Sequence, residues 1–279
     1  MPILLLSDEA QASINASLRS GRGQRQMEDV LGSNRAVVAL LSAAIIILRQ
    51  EKFVQIKGFP VLDDGAWKFF SEHFGVYAGA VERTDIKVDC TYTGCAINPL
   101  TLHNDDAIDL ERQPEYGFIQ VTTADRCGPV ANGVVLAREL VRKLKFEDPD
   151  LLQKLISLPI PMLSYGINHE SASKREIIID TPIIYKDVGG EYCLRFDSER
   201  NAHYYREKKK SQPLEEGMMI YQFLRHASVL KKKVLLSVGD ILVLDNKRTL
   251  HDREECTICF NLDGTTQTRS IAVSFSRRL

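Results

Sequence analysis

Along the chain, apolar residues fall first at helical spacing and later mostly at strand spacing. "AVVALLSAAIIIL" (36–48) is apolar on every face, so it predicts a buried helix at about 35–50. At 13 residues it is too short to span a bilayer, and it lies too far in for a signal peptide. The Gly-, Arg- and Gln-rich stretch Ser20–Arg35 before it reads as a loop. "KFVQIKGFPV" (52–61) reads as a strand closed by Gly58 and Pro60. Asp63 or Asp64 then caps a helix through "AWKFFSEHFG", where Trp67, Phe70 and Phe74 share one face and Gly75 ends it.

"YGFIQVTTAD" (116–125) has strand composition, "CGPVANG" (127–133) is a turn, and "VVLARELVRKL" resumes helical spacing. Pro159, Pro161 and Pro182 punctuate a middle region of loops and short strands. "KKKSQPLEEG" (208–217) is a solvated connection into a helix at about 214–230. "KKVLLSVGDILVLDNKRTLHDRE" (232–254) reads as three strands joined at Gly239-Asp240 and Asp245-Asn246, and "TRSIAVSFSRR" (268–278) as one more. Helices come early and late, with many short strands between. That pattern predicts a mainly β fold, a barrel or double-sheet core with peripheral helices, in one domain over 1–279. A doubly wound sheet would need regular strand–helix alternation, which is missing.

Composition narrows the function classes. With 279 residues, 44% hydrophobic, and a net charge of −1, the chain buries a sizeable core and carries no field for nucleic acid or an anionic membrane. The six cysteines (90, 95, 127, 193, 256 and 259) have no framework spacing, so they read as reduced thiols of a cytoplasmic protein. Cys256 and Cys259 make a single CxxC without the second pair that zinc requires, so an ordinary loop is expected there.

The candidate chemistry sits in "TLHNDDAIDL" (101–110). His103 and Asp105 are two apart, a spacing that points both side chains to one face of a strand. Of the other histidines, only His251 ends a core strand; His73 and His226 lie in helical patterns, His169 and His203 in polar loop sequence, and these four read as surface residues. Two imidazoles and a carboxylate form the ligand set of non-heme iron(II) oxygenases, which leaves coordination positions open. Arg269, at the start of "TRSIAVSF", needs an anion if it points inward, and the distal carboxylate of 2-oxoglutarate suits its planar fork. The same residues are open to other readings: polar strand ends with a surface arginine, a zinc-dependent hydrolase, or a non-catalytic jelly-roll protein.

The stretches "FVQIKGFPV" (53–61), "LHNDDA" (102–107), "GDILVLDNKRTLHDREE" (239–255) and "TRSIAVSF" (268–275) spread over nearly the whole chain. Together they resemble the TauD/TfdA (taurine dioxygenase-like) family of Fe(II)/2-oxoglutarate-dependent oxygenases, especially its clavaminate synthase-like and carbapenem synthase members. The resemblance implies a double-stranded β-helix (jelly-roll) core, iron held by His103, Asp105 and His251, and Arg269 paired with 2-oxoglutarate. It also implies dioxygen as cosubstrate, with succinate and carbon dioxide released as hydrogen is abstracted from the substrate. The leading reading is hydroxylation of a small polar metabolite, such as an amino acid or natural-product intermediate, with desaturation, epimerisation and ring formation open within the same chemistry. Asp105 speaks against the halogenase variant, in which a small residue replaces the carboxylate.

The chain departs from the family pattern at two places. The threonine that usually bonds 2-oxoglutarate after a glycine-rich turn is absent from "GPVANGVVL", which leaves Asn132 as its substitute. The second arginine many relatives carry four residues past the first is Val273 here. Arg253 either braces the site or faces solvent. Asp106 and Asp109 either meet a cationic group of the substrate or belong to a solvated loop.

Overall fold

A computed structural model describes residues 1–19, 27–87, 90, 94–107, 113–168 and 173–277. The first part of the chain forms β1 (Ile3–Leu5), α1 (Asp8–Arg19), α2 (Met27–Ser33), α3 (Arg35–Glu51), β2 (Phe53–Lys57), α4 (Asp64–Glu72) and β3 (Val76–Asp85). Asn34 caps α3 by accepting from the N–H groups of Ala36 and Val37, and Asp63 caps α4 through that of Ala66. Next come β4 (Leu100–His103), β5 (Tyr116–Thr123), β6 (Ala131–Leu136), α5 (Ala137–Glu147), α6 (Pro149–Ser157), β7 (Ile160–Asn168) and β8 (Ser173–Thr181). The rest is β9 (Ile184–Lys186), β10 (Tyr192–Leu194), α7 (Ser198–Glu207), α8 (Leu214–Val229), β11 (Lys232–Leu235), β12 (Ile241–Asp245), β13 (Thr249–Arg253), β14 (Ile258–Phe260), β15 (Thr266–Thr268) and β16 (Ser270–Arg277).

Two sheets form the core, ordered β1-β2-β12-β5-β16-β3 and β11-β6-β13-β4. Strands far apart in sequence lie side by side, as β12 does between β2 and β5. The inner faces pack as one cluster in which Phe53, Ile119, Leu242 and Leu244 of the larger sheet meet Val134, Leu136 and Val234 of the smaller. The outer face of the larger sheet is covered by α1 to α4, whose Leu41, Trp67 and Phe70 pack on Val54, Phe118 and Val243. The outer face of the smaller sheet, with Leu102, Val135 and Leu250, lies under α5, α6 and α8. On β12, Ile241 and Val243 join the outer cluster while Leu242 and Leu244 join the inner one. Burial on both faces is why that strand reads as an unbroken apolar run. The expected jelly-roll core with peripheral helices is borne out.

Several local expectations change. The stretch read as a loop over Ser20–Arg35 contains α2, which buries Val30 and Leu31; residues 20–26 fall outside the described ones. "VVL" of 134–136 belongs to β6, not to the helix after it, because it pairs with β13 and is buried on both faces. The middle region holds the long β7–β8 hairpin, and α7 occupies sequence read as a polar loop. Cys90 and Cys95 are joined as a disulfide, which corrects the expectation of six reduced thiols; Cys127, Cys193, Cys256 and Cys259 are free. Among the described residues no single helix is long and apolar enough to cross a membrane. Among those residues α2 and α3 pass that test as a pair, bent by 81°, and α3 buries Val37, Leu41, Ala44 and Leu48 inside the protein.

Candidate active site

Alternation along β4 and β13 sets the site. Leu102 and Leu250 turn outward into the helix-covered cluster, so His103 and His251 turn inward between the sheets. The two histidines are register partners across the antiparallel ladder, with ring centroids 4.3 Å apart. Asp105 completes the group: its Oδ1 lies 3.7 Å from His103 Nε2 and its Oδ2 lies 3.5 Å from His251 Nε2. One ligand atom from each residue falls within 4.8 Å of the others, and among the described residues no other such group of three could hold a metal ion.

The means of bringing Asp105 to that side differs from the expected one. β4 ends at His103, so the carboxylate is not placed by strand pleat. It is placed by two buried asparagines that sequence reasoning missed. Asn104 donates through Nδ2 to the carbonyls of Asn246 (2.5 Å) and Thr249 (2.6 Å), and its Oδ1 accepts from the Phe196 N–H (3.0 Å). Asn246, in the β12–β13 turn, accepts from the Asp105 N–H through Oδ1 (3.0 Å) and donates to the Asp105 carbonyl (2.9 Å). A peptide-like clasp thus ties the segment bearing His103 and Asp105 to the turn leading into His251. The asparagines in "LHNDDA" and "LDNKRT" were the available signal, but the sequence shows neither as buried. Gly117 on β5 leaves room beside the carboxylate, since a Cβ there would already lie 3.5 Å from Asp105 Oδ2.

The donor set fits a divalent transition metal. His103 Nδ1 lies 2.8 Å from the Thr101 carbonyl, which can only accept, so Nδ1 carries a proton and Nε2 is the atom turned toward Asp105, free to bind a metal once its own proton is displaced. His251 Nδ1 is buried without a hydrogen-bond partner. Burial holds His251 down at about 4, against the pull of Asp105. For His103 burial also acts downward, yet the hydrogen bond and charge of Asp105, helped by Asp197, raise it to about 9. Asp105 is likewise opposed by burial but held below the usual carboxylate range by both histidines.

Arg269 is 3% exposed and lies on the same cavity wall as Ile271, Val273 and Phe275, the inward parity of β16. Its Nη2 donates to Asn132 Oδ1 at 3.2 Å, and Asn132 Nδ2 donates to the Asp252 carbonyl at 3.2 Å. No carboxylate among the described residues forms an ion pair with Arg269, and burial pulls its guanidinium below its ordinary value. Arg253 is buried rather than solvent-facing: it donates to the carbonyls of Ala96 (2.8 Å) and Asn98 (2.9 Å) and to Cys256 Sγ (2.7 Å).

The triad and Arg269 open on one cavity of about 280 Å³, lined also by Glu82 of β3 and by Arg200 and His203 of α7. His203 is therefore a cavity residue and not a surface one. His226 is also buried, 3.7 Å from Glu147 and 3.8 Å from Asp148, whereas His73 bonds the Phe69 carbonyl at the end of α4. Burial raises the Glu82 carboxyl, with Asp106 and Asp105 adding to the effect. Asp109 and His169 lie outside the described residues.

A jelly roll carrying two histidines and an aspartate at one end of its sandwich, with a buried arginine facing them, is the architecture of a non-heme iron oxygenase. The family model for taurine catabolism dioxygenase TauD, TfdA family, matches residues 34–264. The chain belongs to that family of Fe(II)- and 2-oxoglutarate-dependent dioxygenases. No curated protein sequence matches it. Among solved structures, an asparagine oxygenase in complex with Fe(II), (2S,3S)-3-hydroxyasparagine and succinate is similar at a TM-score of 0.72. The identity is 16%, over 99% of this chain and 94% of that one. The non-heme iron oxygenase OrfP in complex with Fe and alpha-ketoglutaric acid is similar at 0.61, also at 16% identity, over 99% of this chain and 94% of that one. At such identities the likeness establishes the fold.

Proposed function

We propose that the chain is a single-domain, cytoplasmic hydroxylase in which His103, Asp105 and His251 hold Fe(II) and Arg269 takes the distal carboxylate of 2-oxoglutarate. The convergence of three ligand atoms beside a buried arginine that has no ion-paired carboxylate among the described residues carries this reading. When bound, iron and the 2-oxo acid activate dioxygen, with succinate and carbon dioxide formed as the substrate is hydroxylated. Asn132 keeps the Arg269 fork aimed across the cavity, the role left open by the missing threonine. The apolar wall of Ile119, Ile271 and Val273 keeps that end dry, where a charge-assisted pair is strongest.

The substrate is a small polar metabolite of the amino-acid type. Glu82 supports a cationic group on it, because a carboxylate lining the cavity, its carboxyl already raised, gains a partner when an ammonium enters. Asp106 is exposed just past the triad and adds to the same field. Val273 removes the second arginine from β16, so an acidic group is not gripped at that position.

Anaerobic protein mixed with Fe(II) and then 2-oxoglutarate tests the assignment. The visible charge-transfer band of the chelate is expected, and its absence would refute this reading.

A further inference from the structure

We propose that Cys127 and Cys259 form a reversible dithiol–disulfide site that takes a small-molecule disulfide as its co-reactant. Their sulfurs lie 3.1 Å apart, although the residues are 132 positions apart in sequence. A bonded pair needs about 2.05 Å, so closure asks for a shift of about 1 Å. The site is independent of the iron and 2-oxoglutarate reading.

The approach of the two thiols is fixed by contacts on both sides. Cys127 lies in the turn between β5 and β6, and Cys259 is the middle residue of β14. Asp125 accepts from the N–H of Cys127 (3.0 Å) and from that of Thr257 (2.7 Å), and the Thr257 hydroxyl also donates to it. On the other flank, Arg126 Nη1 donates to Asn261 Oδ1 at 2.7 Å. The turn and the hairpin are thus pinned on either side of the sulfurs.

Exposure and charge divide the roles. Cys127 is exposed, while Cys259 is partly covered. Contact with Thr257, whose hydroxyl is shared with Asp125, and with the Cys259 thiol holds Cys127 below the ordinary thiol value; the Arg126 guanidinium acts the same way, while the charge of Asp125 opposes it. Cys259 is raised, chiefly by the same contact with Cys127. Cys127 is therefore the attacking thiolate. It attacks one sulfur of a disulfide such as oxidised glutathione; that S–S bond breaks and one glutathione thiolate leaves. Cys259, giving up its proton, attacks the Cys127 sulfur of the mixed disulfide, and the second glutathione thiolate leaves. The two cysteines lose two electrons, the glutathione disulfide gains them, and the two cysteine protons pass to the released thiolates.

The bond fastens the β14–β15 hairpin to the β5–β6 turn. Three residues before Cys259, Cys256 accepts from Arg253, which lines the cavity beside Arg269. Oxidation therefore stiffens the segment that backs the arginine wall.

The test uses reduced full-length protein without iron. It is incubated with oxidised glutathione, quenched with an alkylating agent and mapped by mass spectrometry. A Cys127–Cys259 cross-linked peptide is expected, reversed by dithiothreitol. Cys259→Ser should trap glutathione on Cys127. The oxidised wild type should melt roughly 5–15 °C above oxidised Cys259→Ser, as for closing a long loop. Stable glutathionylation of Cys127 in the wild type with Cys259 still alkylated, or full alkylation of both, would overturn the proposal.

Discussion

His251 on β13 lies directly across the ladder from His103 on β4, and Asp105 bridges the two Nε2 atoms at 3.5 and 3.7 Å. The pair turns two Nε2 atoms in one direction, since the Thr101 carbonyl fixes the Nδ1 proton of one ring and burial keeps the other ring neutral. Removing either ring leaves two ligands, too few to fix the metal while keeping adjacent positions open. His251→Ala should abolish the chelate band with Fe(II) and 2-oxoglutarate while the far-UV spectrum stays native. An undiminished band in that variant would place the metal elsewhere.

Arg269 is a buried cation that forms no ion pair with a carboxylate among the described residues, and Asn132 accepts a hydrogen bond from its fork. Loss of a buried charge-assisted pair costs roughly 2–5 kcal/mol, so Arg269→Ala should weaken 2-oxoglutarate binding by about 30- to 5,000-fold. Asn132→Ala removes one hydrogen bond of roughly 0.5–1.5 kcal/mol, a loss of about 2- to 10-fold. Titration of the chelate band with 2-oxoglutarate reads both. Equal affinity for Arg269→Ala and wild type would show that the cosubstrate anchors elsewhere.

The direction of His103, His251 and Arg269 was legible from sequence because each stands at the end of an apolar run whose alternation sets it, whereas the placement of Asp105 beyond the end of β4 was not. The β12 run was legible for the same reason, being apolar on both faces. Asn104 and Asn246 were not, because a clasp asparagine and a solvated turn asparagine have the same sequence signature; only tertiary contact separates them. His203 was misjudged because α7 has a strongly polar composition, and its cavity-facing side depends on where β4 and Asp197 dock it. The Cys90–Cys95 bond lacked any framework spacing to announce it.

Asn104 makes four bonds, two through its amide, one through its side-chain carbonyl and one from its own N–H to the Phe196 carbonyl (2.9 Å). Asn104→Ala leaves the Asn246 and Thr249 carbonyls and the Phe196 N–H without that partner, a destabilisation of roughly 1–3 kcal/mol. Because the residue lies between two of the three proposed ligands, the variant should also bind Fe(II) about 10- to 100-fold more weakly, as when outer partners of a metal site are lost. Asn104→Asp keeps the shape but turns a donor into an acceptor facing two carbonyls, and should be worse than alanine. Competition against a colorimetric chelator measures the affinity. A variant that loses stability yet keeps full iron affinity would show that the clasp supports the fold alone.

Arg248, in the turn that feeds β13, holds four carboxylates: Glu191 at 2.7 Å, Asp245 at 3.1 Å, Glu115 at 3.2 Å, and Asp187. Arg248→Met should destabilise the protein by roughly 3–5 kcal/mol, because it leaves buried carboxylates without their common cation. The deficit carries a pH signature. Burial opposes ionisation of Glu115, yet Lys247 and Arg248 outweigh it and hold its carboxyl below the usual value. Its contribution is therefore complete above about pH 4.5 and is lost as the pH falls through the folded value. Asp245 works in the opposite sense: burial lifts it to about 6 even with Arg248 beside it, so its ionised form costs stability above that pH. Without the guanidinium both groups shift upward and take up protons earlier. The deficit of Arg248→Met should accordingly be largest near pH 7.5 and shrink on acidification toward pH 4.5. Urea unfolding of wild type and variant at the two pH values gives the comparison, and equal deficits at both would show that the cluster contributes packing rather than charge.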